Sequence, residues 1–222
     1  MIIKNMIKKY EFPCVFLAIS RKLCSVLPTM YWSSRARIIF ALSGIRFGKG
    51  VCVAGKIFIN NRKKADIEIG DHVTFQSRFE NNFVGLTNPT VLDTLGGGKI
   101  RIGNYSGFSS VIISSRSSII IGEYVKVGGN VRIFDHDFHS LNHQCRRGSN
   151  DANNIRAKSI VIDDDVFVGT NAIILKGTHI GARTIIAAGS VVFGLDVPPD
   201  SLVKGNPARV VGKRESVNRD QE

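Results

Sequence analysis

From Ile162 to Val203 the chain repeats a pattern every six residues. Ile162, Val168, Ile174, Ile180, Ile186 and Val192 stand at that interval, and Pro198 takes the next slot. Four places after an aliphatic residue comes a small or β-branched one: Val166, Ala172, Thr178, Thr184, Ser190. Gly or Ala follows the aliphatic residue directly at Gly169, Gly181 and Ala187. A period of six fits neither a helix at 3.6 nor a plain strand at 2. It fits a coil in which three short flat faces make one rung of eighteen residues. The aliphatic residue points to the axis, the small residue packs beside it, and Gly or Ala lets the chain bend at the corner. Such rungs bury their faces only against one another.

The same phase appears earlier, with breaks. Phe47–Gly48, Val53–Ala54, Ile59, Ile69–Gly70 and Phe75 open the coil, with residues 62–65 as a short corner insertion. A longer interruption spans about residues 80–98. The phase then runs through Ile102–Gly103, Ile121–Gly122, Val127–Gly128 and Ile133. Between Ile121 and Ile162 the spacing exceeds one rung, so residues 134–158 form a loop thrown out of a regular coil. Insertions of this kind often carry function. The expected organisation is a helical cap over 1–44, the coil over 45–212 and a polar tail over 213–222. In the cap, Val15, Ala18, Ile19, Leu23 and Val26 lie at helical spacing up to Pro28. A second helix is expected from Ser33–Ser34 through Ile38, Ile39 and Leu42 to Gly44.

Charge is uneven. The net charge is +12, and residues 1–44 hold Lys4, Lys8, Lys9, Arg21, Lys22, Arg35 and Arg37 against Glu11 alone. This excess is either solvated surface or an attraction to anionic lipid or an anionic ligand. Nucleic acid fits poorly, because cations and aromatics do not interleave on a repeated surface. Cys14, Cys24, Cys52 and Cys145 show neither metal spacing nor a disulfide framework, and read as reduced thiols of a cytoplasmic protein. The apolar run 12–19 is too short to span a bilayer and has no cleavage site behind it.

The loop opens Asp135-His136-Asp137-Phe138-His139-Ser140 and continues through His143 to Arg146–Arg147, placing three of the five histidines within eight residues. Imidazole titrates near neutrality and suits general-base work. With VFVGTNAIILKG, IAAGSVV and VPPDSLVKGNPARVV downstream, the chain resembles the hexapeptide-repeat, left-handed β-helix acyltransferase family, and within it bacterial sugar O-acetyltransferases of the galactoside and maltose kind. That resemblance implies an all-β, single-stranded left-handed parallel β-helix with acetyl-CoA as acyl donor and a sugar or polysaccharide hydroxyl as acceptor. It implies a homotrimer in which neighbouring coils share each site. It places the general base at His139, with His136 as competitor, and Asp135 or Asp137 to orient the imidazole. Gly169, Thr170, Ala188 and Gly189 would line the pantetheine groove, and Arg209 and Lys213 would meet the phosphates. Phe193 and Gly194 stand where the family often has Thr-Lys, so either Lys204 or Arg183 would supply the missing cation or the adenosine end would sit differently.

Family acceptor positions fall near Phe108–Ser110 and at Arg116, where a cation replaces a carboxylate and suggests an acidic sugar. With the basic amino-terminal segment, this favours a surface-polysaccharide or glycan-precursor enzyme, cytoplasmic or at the inner face of the membrane. The alternatives are a serine or amino-sugar N-acetyltransferase and a non-catalytic β-helix scaffold. A serine enzyme would need a longer helical half. A γ-type carbonic anhydrase would need a histidine on an earlier rung, and none occurs between His72 and His136. No metal site is expected.

Overall fold

The computed structural model describes residues 12–61, 66–95 and 97–213, with the side chains of 12–25 and Asn81 outside the description. From Arg46 onward they form a three-sided parallel coil. Its first face carries seven strands, from Arg46–Phe47 to Asp196–Val197. The second carries eight, from Cys52–Ala54 to Ala208–Lys213, and the third carries six, from Ile57–Asn60 to Val191–Phe193. Successive rungs pair in parallel, for example Val168 with Ile186 and Ile174 with Val192. Only the final hairpin, Ser201–Gly205 with Ala208–Lys213, is antiparallel among the described strands.

The six-residue period becomes the core. Ile162, Val168, Ile174, Ile180, Ile186 and Val192 are fully buried, as are the small partners Val166, Ala172, Thr178, Thr184 and Ser190. Burying each Val or Ile contributes about 1.5–3 kcal/mol. The hydroxyls among the small residues satisfy the corner backbone instead of being wasted. Thr178 Oγ1 donates to the Leu175 carbonyl at 2.7 Å, and Ser190 Oγ accepts from Gly205 N–H at 3.2 Å.

Four expectations are corrected. First, the slot after Val192 belongs to Val197, buried and paired with Ile180, and not to Pro198. That rung is one residue short, because Pro cannot donate to a sheet ladder and is moved to the turn. Second, the corner bend does not sit at Gly169, Gly181 and Ala187. Positive φ falls two residues later, at Asn171, Arg183 and Gly189. Gly169 must be small for another reason: a Cβ there would lie 2.5 Å from the backbone nitrogen of Ala188 on the next rung.

Third, the interruption at 80–98 contains a rung strand, Thr90–Asp93, with Thr90 and Leu92 buried. Fourth, one helix, Phe12–Leu42, replaces two and carries Pro28 inside it. Proline costs a helix one backbone bond and a steric clash, which this long helix absorbs. Ser33, expected as an N-cap, instead donates through Oγ to the Val53 carbonyl at 3.1 Å and accepts from Val53 N–H at 2.9 Å. With Ala36 and Phe40 buried, this docks the helix on the first rung. The corner insertion at 62–65, the side chains of Val15, Ala18, Ile19 and Leu23 and the tail beyond Lys213 lie outside the described residues.

Candidate active site

The insertion leaves the third face after Arg132–Phe134 and returns to the first at Ile160–Ile162. Its base is zipped shut. His136 bridges Ala157 antiparallel, Asp137 N–H reaches the Arg156 carbonyl at 2.9 Å, and Lys158 N–H reaches the Asp135 carbonyl at 2.8 Å. Beyond the zip the loop builds a one-turn helix, His143–Arg147, capped by Asn142, whose side chain accepts from Gln144 N–H.

The four residues predicted for catalysis separate into three unlike settings. Asp135 and His136 are inside. Asp135 accepts from Ser115 Oγ at 2.8 Å and from the N–H groups of Arg116 at 2.7 Å and Ser117 at 2.9 Å. Burial pushes its carboxyl up, but the bond from His136 and these donors outweigh burial and hold it below the usual carboxylate value. Ionised, it can only accept, so His136 donates from Nδ1 at 3.1 Å. The Nε2 of His136 is buried with no hydrogen-bond partner among the described residues, and its ring packs against Phe138 at 4.8 Å. Asp137 is ion-paired with Lys176, whose ammonium also lies over the Phe193 ring at 5.2 Å.

His139 is outside. Its side chain is 68% exposed, and Nδ1 lies 2.6 Å from Asp151 Oδ2. The other oxygen of Asp151 accepts from Ser140 N–H at 2.6 Å. The bond from His139 and then that from Ser140 hold the Asp151 carboxyl below its ordinary value. Asp151 is therefore the acceptor and Nδ1 the donor, which leaves Nε2 outside the pair. The carboxylate in contact with His139 is Asp151, while Asp135 pairs with His136 and Asp137 with Lys176. Twelve residues separate Asp151 from His139, and only the fold of the loop brings the two together. An aspartate within the polar run Ser149–Asn154 gave no signal of this in the sequence.

The residues predicted for the donor lie along another edge, between the second and third faces. Gly169 packs under Ala188, Gly189 N–H bonds to the Thr170 carbonyl at 2.9 Å, and a side chain at Gly189 would meet only open space. Thr170 also packs near Gly129 of the rung below. Arg209 and Lys213 are exposed on the final strand, and Lys204 is the register partner of Arg209. Arg183 is engaged elsewhere, in two bonds of 2.7 and 2.6 Å to Asp200. The loop that carries His139 and the column predicted for the donor therefore occupy opposite borders of the third face. Of the predicted acceptor positions, Phe108 is a core residue stacked on Phe75, Ser110 is buried, and Arg116 holds the loop by donating to the Ala152 carbonyl at 2.7 Å.

Residues 159–194 match a family described as bacterial transferase hexapeptide, six repeats. Over 61 residues the chain is 43% identical to a 2,3,4,5-tetrahydropyridine-2,6-dicarboxylate N-acetyltransferase of Staphylococcus aureus, covering 28% of this chain and 25% of that protein. The chain thus spans about a quarter of the length of the curated relatives it matches. Among solved structures, a hexapeptide-repeat acetyltransferase of Vibrio cholerae complexed with acetyl coenzyme A is 29% identical. The match covers 82% of this chain and 78% of that one, with a TM-score of 0.56. AntD, an N-acyltransferase of Bacillus cereus solved with dTDP and 3-hydroxybutyryl-CoA, shares the fold at 18% identity, 81% and 88% coverage and TM-score 0.63. So does a maltose O-acetyltransferase of Clostridium difficile, at 22% identity, 90% and 89% coverage and TM-score 0.51. The chain carries the bacterial transferase hexapeptide repeat, on a coil shared with hexapeptide-repeat acetyltransferases.

Proposed function

We propose that this chain is an acetyl-CoA-dependent O-acetyltransferase of a sugar hydroxyl, with a left-handed coil and His139 as general base. The observation that carries the reading is an imidazole held at Nδ1 by Asp151, with no partner at Nε2 among the described residues, on the longest insertion of the described coil. An alcohol is a poor nucleophile until its proton is removed. His139 Nε2 takes that proton as the oxygen attacks the thioester carbonyl, and backbone N–H groups hold the oxyanion. The carbon–sulfur bond then breaks, and the imidazolium returns the proton to the leaving thiolate. Asp151 keeps the tautomer correct and balances the imidazolium charge.

The donor lies along Gly169, Thr170, Ala188 and Gly189, where an amide chain pairs with the coil edge. Arg209, Lys213 and Lys204 meet its phosphates. Because the base and this column sit on opposite borders of one face, the site is completed between copies, in a homotrimer. The long helix adds a membrane contact. Leu27, Tyr31, Ile38 and Leu42 form an exposed apolar stripe beside Arg35, although no helix among the described residues is long and apolar enough to cross a bilayer. The chain then works at the inner face of the membrane on a surface-polysaccharide or glycan precursor.

Amino-group transfer is the second reading, because the matched 61 residues and AntD belong to N-acyltransferases. A CoA-release assay over hydroxyl and amino sugars tests both. Turnover on hydroxyl acceptors that is lost in His139→Ala supports the proposal. Turnover on amino sugars alone replaces it with the second reading.

A further inference from the structure

The edge that bears Thr170 and Ala188 continues downward through Asn130, Ser110 and Ser77 to Gly55, and there the coil holds a built cavity. After Thr74–Gln76 the chain leaves the second rung and climbs this edge as a loop before entering Thr90–Asp93. Side chains of the coil pin that loop. Asn82 Nδ2 donates to Ser109 Oγ at 3.0 Å, Asn130 Nδ2 donates to the Gly85 carbonyl at 2.8 Å, and Thr87 N–H donates to Asn130 Oδ1 at 2.9 Å. Asn88 Nδ2 donates to the Ser110 carbonyl at 2.6 Å. Val84 and Leu86 close against Gly129, one rung below Thr170. The loop is thus a fixed wall. Between it and the long helix lies a cavity of about 410 Å³, lined by Trp32, Lys56, Arg78, Glu80, Thr87 and Asn88 among others.

The chemistry of this lining is specific. Trp32 offers an aromatic surface on which the C–H face of a sugar ring can pack. Ser77, Thr87 and Asn88 offer hydroxyl and amide partners. Two cations, Lys56 and Arg78, stand against one carboxylate, Glu80, which lies 3.3 Å from Arg78 Nε and is itself mostly exposed. Nη1 of Arg78 is buried with no partner among the described residues, as is Oε1 of Gln76 at the foot of the wall. A guanidinium with an unsatisfied N–H is an unfinished anion site, because leaving a buried donor unpaired costs free energy that an anion would recover.

We infer that this cavity is the acceptor pocket and that it takes a sugar ring bearing an anionic group, which Arg78 and Lys56 hold while Trp32 carries the ring. Resting on the acyl-transfer reading above, the inference narrows its substrate to an acidic sugar. It also moves recognition from Arg116, which is spent on the loop, to the opposite edge. The anion is a carboxylate or a phosphate, and the same cations would receive either.

The test is titration calorimetry of the full chain with glucuronic acid, glucose 1-phosphate and glucose, beside coenzyme A as a separate titrant. The expected result is that an acidic sugar binds at least about tenfold more tightly than glucose, near the range of one charge-assisted pair. Which acidic sugar does so identifies carboxylate or phosphate. Arg78→Gln removes that preference, and Lys56→Gln, at an exposed position, reduces it without endangering the fold. Trp32→Ala weakens glucose and the acidic sugars together, and coenzyme A binding is unchanged in all three variants. Equal binding of glucose and the acidic sugars, no binding of any of them, or a preference that survives both cation variants overturns the inference. Acetyl transfer to neutral sugars alone would leave the acyl-transfer reading standing and remove this pocket from it. Binding of acidic sugars without coenzyme A binding or any transfer would do the reverse.

Discussion

Two aspartate–histidine pairs lie within one loop, and they differ in almost every physical respect. Asp135–His136 sits in the closed base, surrounded by three further donors and an aromatic ring, and exposes almost nothing. Asp151–His139 sits at the outer turn, with the imidazole mostly in solvent. The inner pair tethers the start of the insertion to residues 115–117 and so fixes where the loop leaves the coil. The outer pair only ties residues 139–140 to Asp151 within the loop, and it leaves the imidazole exposed. Identical residue types thus divide into a fastening and a candidate base, and their surroundings make the division.

The sharpest way to break this contrast is to truncate each histidine. His139→Ala is expected to lower acetyl transfer at least about a hundredfold, the lower range for a general base, with the melting curve unchanged. A fully active His139→Ala beside an inactive but stably folded His136→Ala would reverse the two roles. Next in size is Asp135→Ala, which leaves His136 and three donors without their acceptor. A loss of about 3 kcal/mol in denaturant unfolding is expected, and a loss under about 0.5 kcal/mol would mean the base of the loop is not fastened there. The sign with pH follows from the depressed carboxyl of Asp135. Its stabilisation is present above the ordinary value of 3.8 and fades as pH falls through the lower folded value. The melting temperature of Asp135→Asn should therefore vary less with acid than that of wild type.

Asp151→Asn should cost about tenfold in kcat with little change in KM, because the imidazole loses its orientation and not its lone pair. An unchanged kcat would make Asp151 a loop brace only. The smallest effect belongs to His179, clipped between Asp163 at 3.0 Å and Asp196 at 2.8 Å across three rungs of the first face. These carboxylates, Asp163 first, raise its pKa above 6.5, so its stabilisation is complete below that value and lost as pH rises through the higher folded one. Because the group is half exposed, wild type should exceed His179→Asn by under about 1 kcal/mol at pH 6 and by nothing at pH 9. A gap that persists at pH 9 would show packing in place of charge.

The sequence alone determined the period, the inward residues and the place of the insertion. Each rung repeats the same local solution, so six residues of pattern predict the next six. It also singled out the histidine-rich loop, because an insertion in a regular coil is conspicuous. Tertiary structure alone decided three matters. It paired His139 with Asp151 and gave Asp135 to His136, since loop contacts depend on how the whole excursion closes. It shifted the final rung from Pro198 to Val197, since burial and ladder bonding outrank strict spacing. It also put the His139 loop and the Gly169–Gly189 column on separate edges, because a corner's place around a coil depends on the count of every preceding rung, interruptions included.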